Sequence, residues 1–103
     1  WLDLTDIPRL ASHRVAELFN IEDRGYLRPG YFADFVLVDP NAGWTVTEDS
    51  ILSKCGWSPF TGDRFSAQVV GTWVNGTEVW DGKQVLEPTP GTPHAGRRMT
   101  FNR

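Results

Sequence analysis

Cys55 is the only cysteine of this 103-residue chain, and His13 and His94 are its only histidines. A single cysteine excludes an internal disulfide framework. It also fits a reducing compartment, so the expectation is a cytoplasmic protein. Two histidines, with neither His-x-His nor His-Glu-x-x-His spacing, do not supply a hydrolytic metal centre. Such a centre needs three or more convergent His, Asp, Glu or modified Lys ligands and a base. Long apolar runs are missing as well. No stretch approaches the ~20 residues of a membrane helix, and Trp1-Leu2-Asp3-Leu4 has neither the basic region nor the apolar length of a signal peptide. Charge of one sign is scarce: 10 Lys and Arg against 13 Asp and Glu leave a net charge of -3. That balance gives no electrostatic basis for nucleic acid or an anionic membrane as partner. A phosphate loop is absent too, because Gly25 to Gly30 lacks the Lys-Ser/Thr ending and precedes no helix.

Aromatic residues are plentiful, with 5 Trp and 6 Phe. Each buried aromatic ring removes roughly 150–250 Å² from water, so a few of them stabilise a small core substantially. The length sets one domain as the ceiling. A start at Trp1, inside an apolar segment, suggests a piece of a longer polypeptide.

The spacing predicts one helix over residues 5–19. Ile7, Leu10, Ala11, Val15, Leu18 and Phe19 share a face. Thr5 or Asp6 caps the free amides, and Pro8 is tolerated in the first turn. A helix with one apolar face must dock on something: the β part, a second copy, or sequence outside this chain. From Gly25 the pattern becomes β. Tyr26-Leu27 is a short strand, Pro29-Gly30 a type II turn, and Phe32 to Val38 a nearly continuous apolar strand covered on both faces. Trp44 to Thr47 is expected as its partner. Residues 48–64 are irregular yet carry Trp57 and Phe60, which should anchor the loop on a neighbouring surface. Ala67–Val74, Asn75-Gly76 and Thr77–Asp81 form a hairpin, because a type I′ turn needs positive φ twice. In that register Thr72 faces Val79, Gly71 faces Trp80, and Trp73 and Trp80 share a face. Asp81-Gly82 turns into a short strand at Gln84 to Leu86. The Pro-rich stretch after Glu87 is a stiff connector, and Arg97 to Phe101 adds a last edge contact. The fold class is mainly β with one N-terminal α-helix, a half-sandwich or small open barrel. Its exposed strand edges call for missing sequence or a second chain, so a homo-oligomer through those edges is one expectation.

Candidate chemistry is thin. His13 lies on the helix and His94 in the tail, both read as packing or surface groups. Cys55 and Ser58 have no base at motif spacing, and Cys55 is expected as a small buried hydrophobe. Asp34 reads as a carboxylate at a strand start that accepts backbone or Arg hydrogen bonds. Asn75-Gly76-Thr77 matches a glycosylation acceptor, but the turn already explains it. Arg97, Arg98 and Arg103 read as a solvated basic tail or a salt bridge to a partner, rather than a nucleic-acid site. Trp44, Trp57, Trp73 and Trp80 read as core or inter-domain packing rather than a binding face.

Three motifs carry a family resemblance. Ser12-His13-Arg14-Val15-Ala16-Glu17-Leu18-Phe19-Asn20-Ile21 resembles the last barrel helix of dihydroorotases and relatives, with Val15 where the family usually has Pro. Arg24 to Asp39, with Arg28-Pro29-Gly30 and Ala33-Asp34-Phe35-Val36-Leu37-Val38-Asp39, looks like the return into the small β domain shared by hydantoinases, allantoinases and many amidohydrolases. Ser53-Lys54-Cys55-Gly56-Trp57-Ser58-Pro59-Phe60-Thr61-Gly62, followed by Thr72-Trp73-Val74-Asn75-Gly76, resembles the closing segment of bacterial dihydroorotases. The resemblance implies a (β/α)8 barrel whose small β-sandwich domain is built from both chain ends. It also implies reversible hydrolysis of dihydroorotate to N-carbamoyl-aspartate in pyrimidine biosynthesis, with zinc activating a water. On this basis residues 1–21 are the last barrel-type helix. Residues 22–103 are the C-terminal half of the small β domain, with an extended tail from about 87. The family's ligands (a His-x-His pair, a carboxylated Lys, two further His and an Asp) match no motif here. No catalytic, cofactor-binding or metal residue is therefore assigned, and no cofactor is expected in this chain although the parent would use zinc. The implied partner is the missing N-terminal barrel and β segment of the same protein.

Overall fold

The computed structural model describes residues 2–89 and 96–102. A continuous helix, α1 (residues 6–18), starts as α-helix over Asp6–Pro8, passes through a π-helical stretch over Arg9–His13, and returns to α-helix over Arg14–Leu18. Its cap differs from expectation. Thr5 already has helical dihedrals and makes no side-chain cap bond. Asp3 does the work instead: its Oδ1 accepts the Thr5 N–H at 2.8 Å and the Asp6 N–H at 3.2 Å, and Asp6 Oδ2 accepts the Asp3 N–H at 3.0 Å. The C-terminus closes as a Schellman motif. Asn20 takes φ 52°, Ile21 N–H donates to Ala16 O at 2.9 Å, and Asn20 N–H donates to Glu17 O at 3.2 Å.

The chain then loops through Glu22 to Asp34. Tyr26-Leu27 is bent chain rather than the expected strand. The Pro29-Gly30 turn forms, with Gly30 at φ 85° and Tyr31 N–H donating to Arg28 O at 3.1 Å. Strand β1 covers Phe35–Asp39, β2 Trp44–Thr45, β3 Arg64–Phe65, β4 Gln68–Val74 and β5 Thr77–Trp80. One sheet has the order β1-β4-β5 and the other pairs β2 with β3, all antiparallel. Thus β2 is not the partner of β1, as the sequence suggested. The pairing choice is non-local, and β4 offers β1 a longer ladder, Phe35↔Trp73 through Asp39↔Gln68. Residues 48–63 are irregular apart from a 3-10 turn at Glu48–Ser50, and Arg64, expected in the irregular stretch, already belongs to β3.

The hairpin forms on its Asn75-Gly76 turn, with φ 49° and 79°. Its register departs from the simple one beyond Trp73↔Glu78. A shift between Thr72 and Trp73 sets Thr72 opposite Trp80 and leaves Val79 as the extra residue. Trp73 and Trp80 are therefore not the expected diagonal pair. Trp73 instead stacks on Phe35, centroids 4.8 Å apart and planes at 13°, and lies over Gly71, where any Cβ would come within 2.5 Å of the ring. The Asp81-Gly82 turn forms, but the strand after it shrinks to one bridge, Trp80↔Val85. The tail returns as expected: Phe101 bridges Ile21, and Glu22 N–H donates to Thr100 O at 3.0 Å.

Burial is sparse. Among described apolar residues only Ala16 (6% exposed) and Val46 (7%) are buried. Phe35, Val36, Leu37 and Val38 all remain more than a third exposed, so among the described residues the apolar strand lacks the two-sided cover that its sequence predicted, apart from the Trp73 ring on Phe35. The apolar stripe of α1 is exposed as well, up to 75% at Leu18. The radius of gyration is 15.9 Å, against about 13 Å for a compact domain of this length.

Candidate functional site

Asp34 stands at the centre of the polar structure. It precedes β1, and its carboxylate pairs with the guanidinium of Arg24. Its Oδ1 accepts the Asn75 N–H at 2.7 Å, while Gly76 N–H donates to Ala33 O at 2.9 Å. Two residues thereby hold both amides of the hairpin turn. Arg24, 13% exposed, lies 4.1 Å over the Phe32 ring and donates to Arg97 O at 3.0 Å. The cluster ties the post-helix loop, β1, the hairpin and the tail together. Asp34 is thus placed as the sequence indicated, and its partner Arg24 was beyond sequence reasoning because a loop leads from one to the other.

His13 is occupied by packing. Its imidazole stacks on Tyr26 at 4.1 Å with planes 6° apart, and Arg28 covers the Tyr26 ring at 3.8 Å. The Tyr26 hydroxyl donates to Glu17. His94 and Arg103 lie outside the described residues. Among the described residues no three His, Cys, Asp or Glu side chains gather closely enough to hold a metal ion. The described residues therefore do not fit a zinc centre, and no step through a metal is derived for this chain.

Cys55 corrects its expectation. It is exposed rather than buried, because its loop finds no covering surface among the described residues. A hydrogen bond with the Ser53 hydroxyl, 3.0 Å away, pushes its thiol below the ordinary range, helped by backbone contacts led by Trp57. Ser58 serves its own loop by accepting the Phe60 N–H at 3.1 Å. Trp44 donates to Ala67 O at 3.1 Å and Trp80 to Val69 O at 3.4 Å, both structural bonds. Phe60 meets Phe65 edge-on at 6.0 Å, whereas Trp57 stays 65% exposed. The anchoring surface expected for that indole is not found among the described residues. Arg97 bonds the carbonyl of Gly96 at 3.3 Å.

Four carboxylates among the described residues are held below their ordinary range; the first, Asp3, is lowered by the Thr5 hydroxyl and then by the Thr5 N–H. The Tyr26 hydroxyl, then Arg14, lowers Glu17; the Arg9 guanidinium, then the Asp3 N–H, lowers Asp6; the Gln84 and Lys83 N–H groups lower Asp81. A carboxylate depressed in the folded state contributes stability that is complete above its unfolded pKa and disappears as pH falls through its folded pKa. Stability should therefore be level near neutrality and decline below about pH 4. Urea midpoints across that range check this, and Glu17→Gln should flatten part of the slope. A midpoint that rises on acidification would contradict it.

The amidohydrolase family model matches residues 2–79. Allantoinase from Desulfitobacterium hafniense is 40% identical over 86 residues, 82% of this chain and 19% of that protein. Dihydroorotase from Pyrococcus furiosus is 31% identical over 85 residues, 82% of this chain and 20% of that one. The solved L-hydantoinase (dihydropyrimidinase) from Arthrobacter aurescens aligns with a TM-score of 0.76 at 29% identity, covering 84% of this chain and 19% of that one. The chain thus spans about a fifth of the length of these relatives. The similarity is shared by all three activities, so the narrower likeness to dihydroorotase is not singled out. No helix among the described residues is long and apolar enough to cross a membrane. The match over most of its length, together with the helix-then-antiparallel-sheet architecture, makes this chain a member of the amidohydrolase family.

Proposed function

We propose that this chain is the C-terminal structural segment of a cyclic-amide hydrolase and does not catalyse the reaction by itself. Its helix α1 would dock on a barrel carried by the rest of the polypeptide, and its strands would complete a small β domain. The observation that carries this reading is the uncovered apolar surface: Ile7, Leu10 and Leu18 on α1 and Val36, Leu37 and Val38 on β1 are all exposed. Monomeric soluble proteins rarely expose contiguous apolar patches of such extent without a partner. A self-standing interaction module would have closed its own helix face. Two substrate readings stand side by side. The Lys54-to-Phe60 loop favours dihydroorotate, hydrolysed to N-carbamoyl-aspartate, and the 40% identity to an allantoinase favours the allantoinase or hydantoinase activities. Zinc would belong to the barrel of the parent enzyme, and a cytoplasmic setting fits the single thiol.

The purified 103-residue chain, assayed with added zinc on the substrates of the three activities, should show no turnover. The polypeptide made by the source should be several times heavier, as intact mass will show, and should hydrolyse one of them. Zinc-dependent turnover by this chain, or a source polypeptide no longer than it, would overturn the proposal.

A further inference from the structure

The excursion from β2 to β3 is a loop tied at its neck. Val46 N–H donates to Asp63 O and Gly62 N–H to Val46 O, both at 2.9 Å. Inside it lies an open concavity of about 470 Å³ whose walls include Trp44, Ile51, Leu52, Trp57, Phe60 and Phe65. Trp44, Phe65 and Phe60 form a connected aromatic floor, with centroids 5.9 and 6.0 Å apart. No residue of the lining carries a charge. Its hydroxyls are mostly committed to the loop itself: Ser50 Oγ donates to Thr47 O at 2.6 Å, and Ser58 Oγ accepts the Phe60 N–H. A site for a polar small molecule needs convergent free polar groups, and this concavity offers an apolar wall.

We infer that this concavity is a socket for a convex apolar element of the larger, N-terminal part of the same polypeptide. The inference rests on the proposed function and adds the place of a contact that is separate from the helix face. Relatives extend over about five times the length that the chain covers, so material for the insert is available. A second copy fits worse. In a two-fold dimer the same patch meets itself, and a concavity against a concavity leaves a void. The convex stripe of α1 from another copy could enter only head-to-tail, which builds open-ended chains rather than a closed pair.

Hydroxyl-radical footprinting of the full-length source polypeptide and of this chain, side by side, tests the socket. Trp57 and Phe60 should be modified at least ~10-fold more slowly in the full-length protein, together with Leu18 and Phe19 of the helix region. Protection of Leu18 and Phe19 with Trp57 and Phe60 still reactive would overturn the socket and leave the proposed function standing. Absence of protection at both places would overturn both. Protection of Trp57 in this chain alone, growing with its concentration, would assign the socket to a second copy and overturn the inference. Trp57→Ser in the full-length protein should leave Leu18 protected and expose Phe60, and an unchanged Phe60 rate would count against the socket.

Discussion

Asp34→Ala is expected to cost the fold roughly 2–4 kcal/mol, somewhat below the full value for breaking a buried ion pair because the carboxylate keeps partial contact with water. The substitution removes the acceptor of the Asn75 N–H and the counter-charge of Arg24. Arg24 is left as an unpaired cation at 13% exposure, with its Nε already buried and without a partner. Removing the cation as well should therefore help: Arg24→Met added to Asp34→Ala should cost nothing further, or return about 1 kcal/mol, which a double-mutant cycle reads as coupling. Asp34→Asn should fall between, since its oxygen still accepts from Asn75 but carries no charge. Urea unfolding followed through the summed tryptophan fluorescence, to which Trp73 stacked on Phe35 beside the pair contributes, measures all of these. Asp34→Ala within about 0.5 kcal/mol of the parent, the ordinary range for a surface change, would show that the cluster is not a fastener.

Gly25→Ala should destabilise by a similar amount for a steric reason. Gly25 sits at φ 86°, and a Cβ there would lie 2.4 Å from Ala16 Cβ and 3.1 Å from Ser12 O. The left-handed backbone costs an L-residue about 1–2 kcal/mol, and the overlap adds about 1–3 kcal/mol. The helix cannot simply retreat, because Ser12 Oγ donates to Gly25 O at 2.9 Å and the Asn20 cap fixes the chain just before. A fall in Tm of roughly 10 °C or more, followed by far-UV circular dichroism, is expected. Ala16→Gly in the Gly25→Ala background should restore only part of it, since the backbone strain stays and a helical Gly costs about 1 kcal/mol. An unchanged Tm for Gly25→Ala would mean that α1 does not pack on this loop.

What the sequence made legible was local. Turns that require positive φ declare themselves in residue type, so Asn75-Gly76 and Pro29-Gly30 were placed correctly. The helix was placed to within a residue at each end, because its periodicity is a property of the segment alone. Long-range choices were not legible. Which strand pairs with β1, and which Arg meets Asp34, depend on how the loops close rather than on any local pattern. The bulge that leaves Val79 unpaired and the shift near Val70 are one-residue offsets that a clean Asn-Gly turn does not announce. The continuous apolar run did encode a strand, though it starts at Phe35 rather than Phe32, and its expected two-sided cover is not provided by the described residues. Cys55 was read as buried and is exposed, and the surface on which Trp57 was expected to anchor is not found among the described residues. The site was read mainly from scarcity, and the residues that do the joining, Arg24 above all, carry no motif.

The most direct test is amide hydrogen exchange over residues 6–18 and Phe35–Asp39, measured in this chain and in the full-length polypeptide. Segments whose apolar faces are covered only by the remainder should exchange at least ~100-fold more slowly there, while the isolated chain opens locally at little cost. Equal, strong protection of both segments in the isolated chain would contradict the account, for it would show a unit that completes its own core.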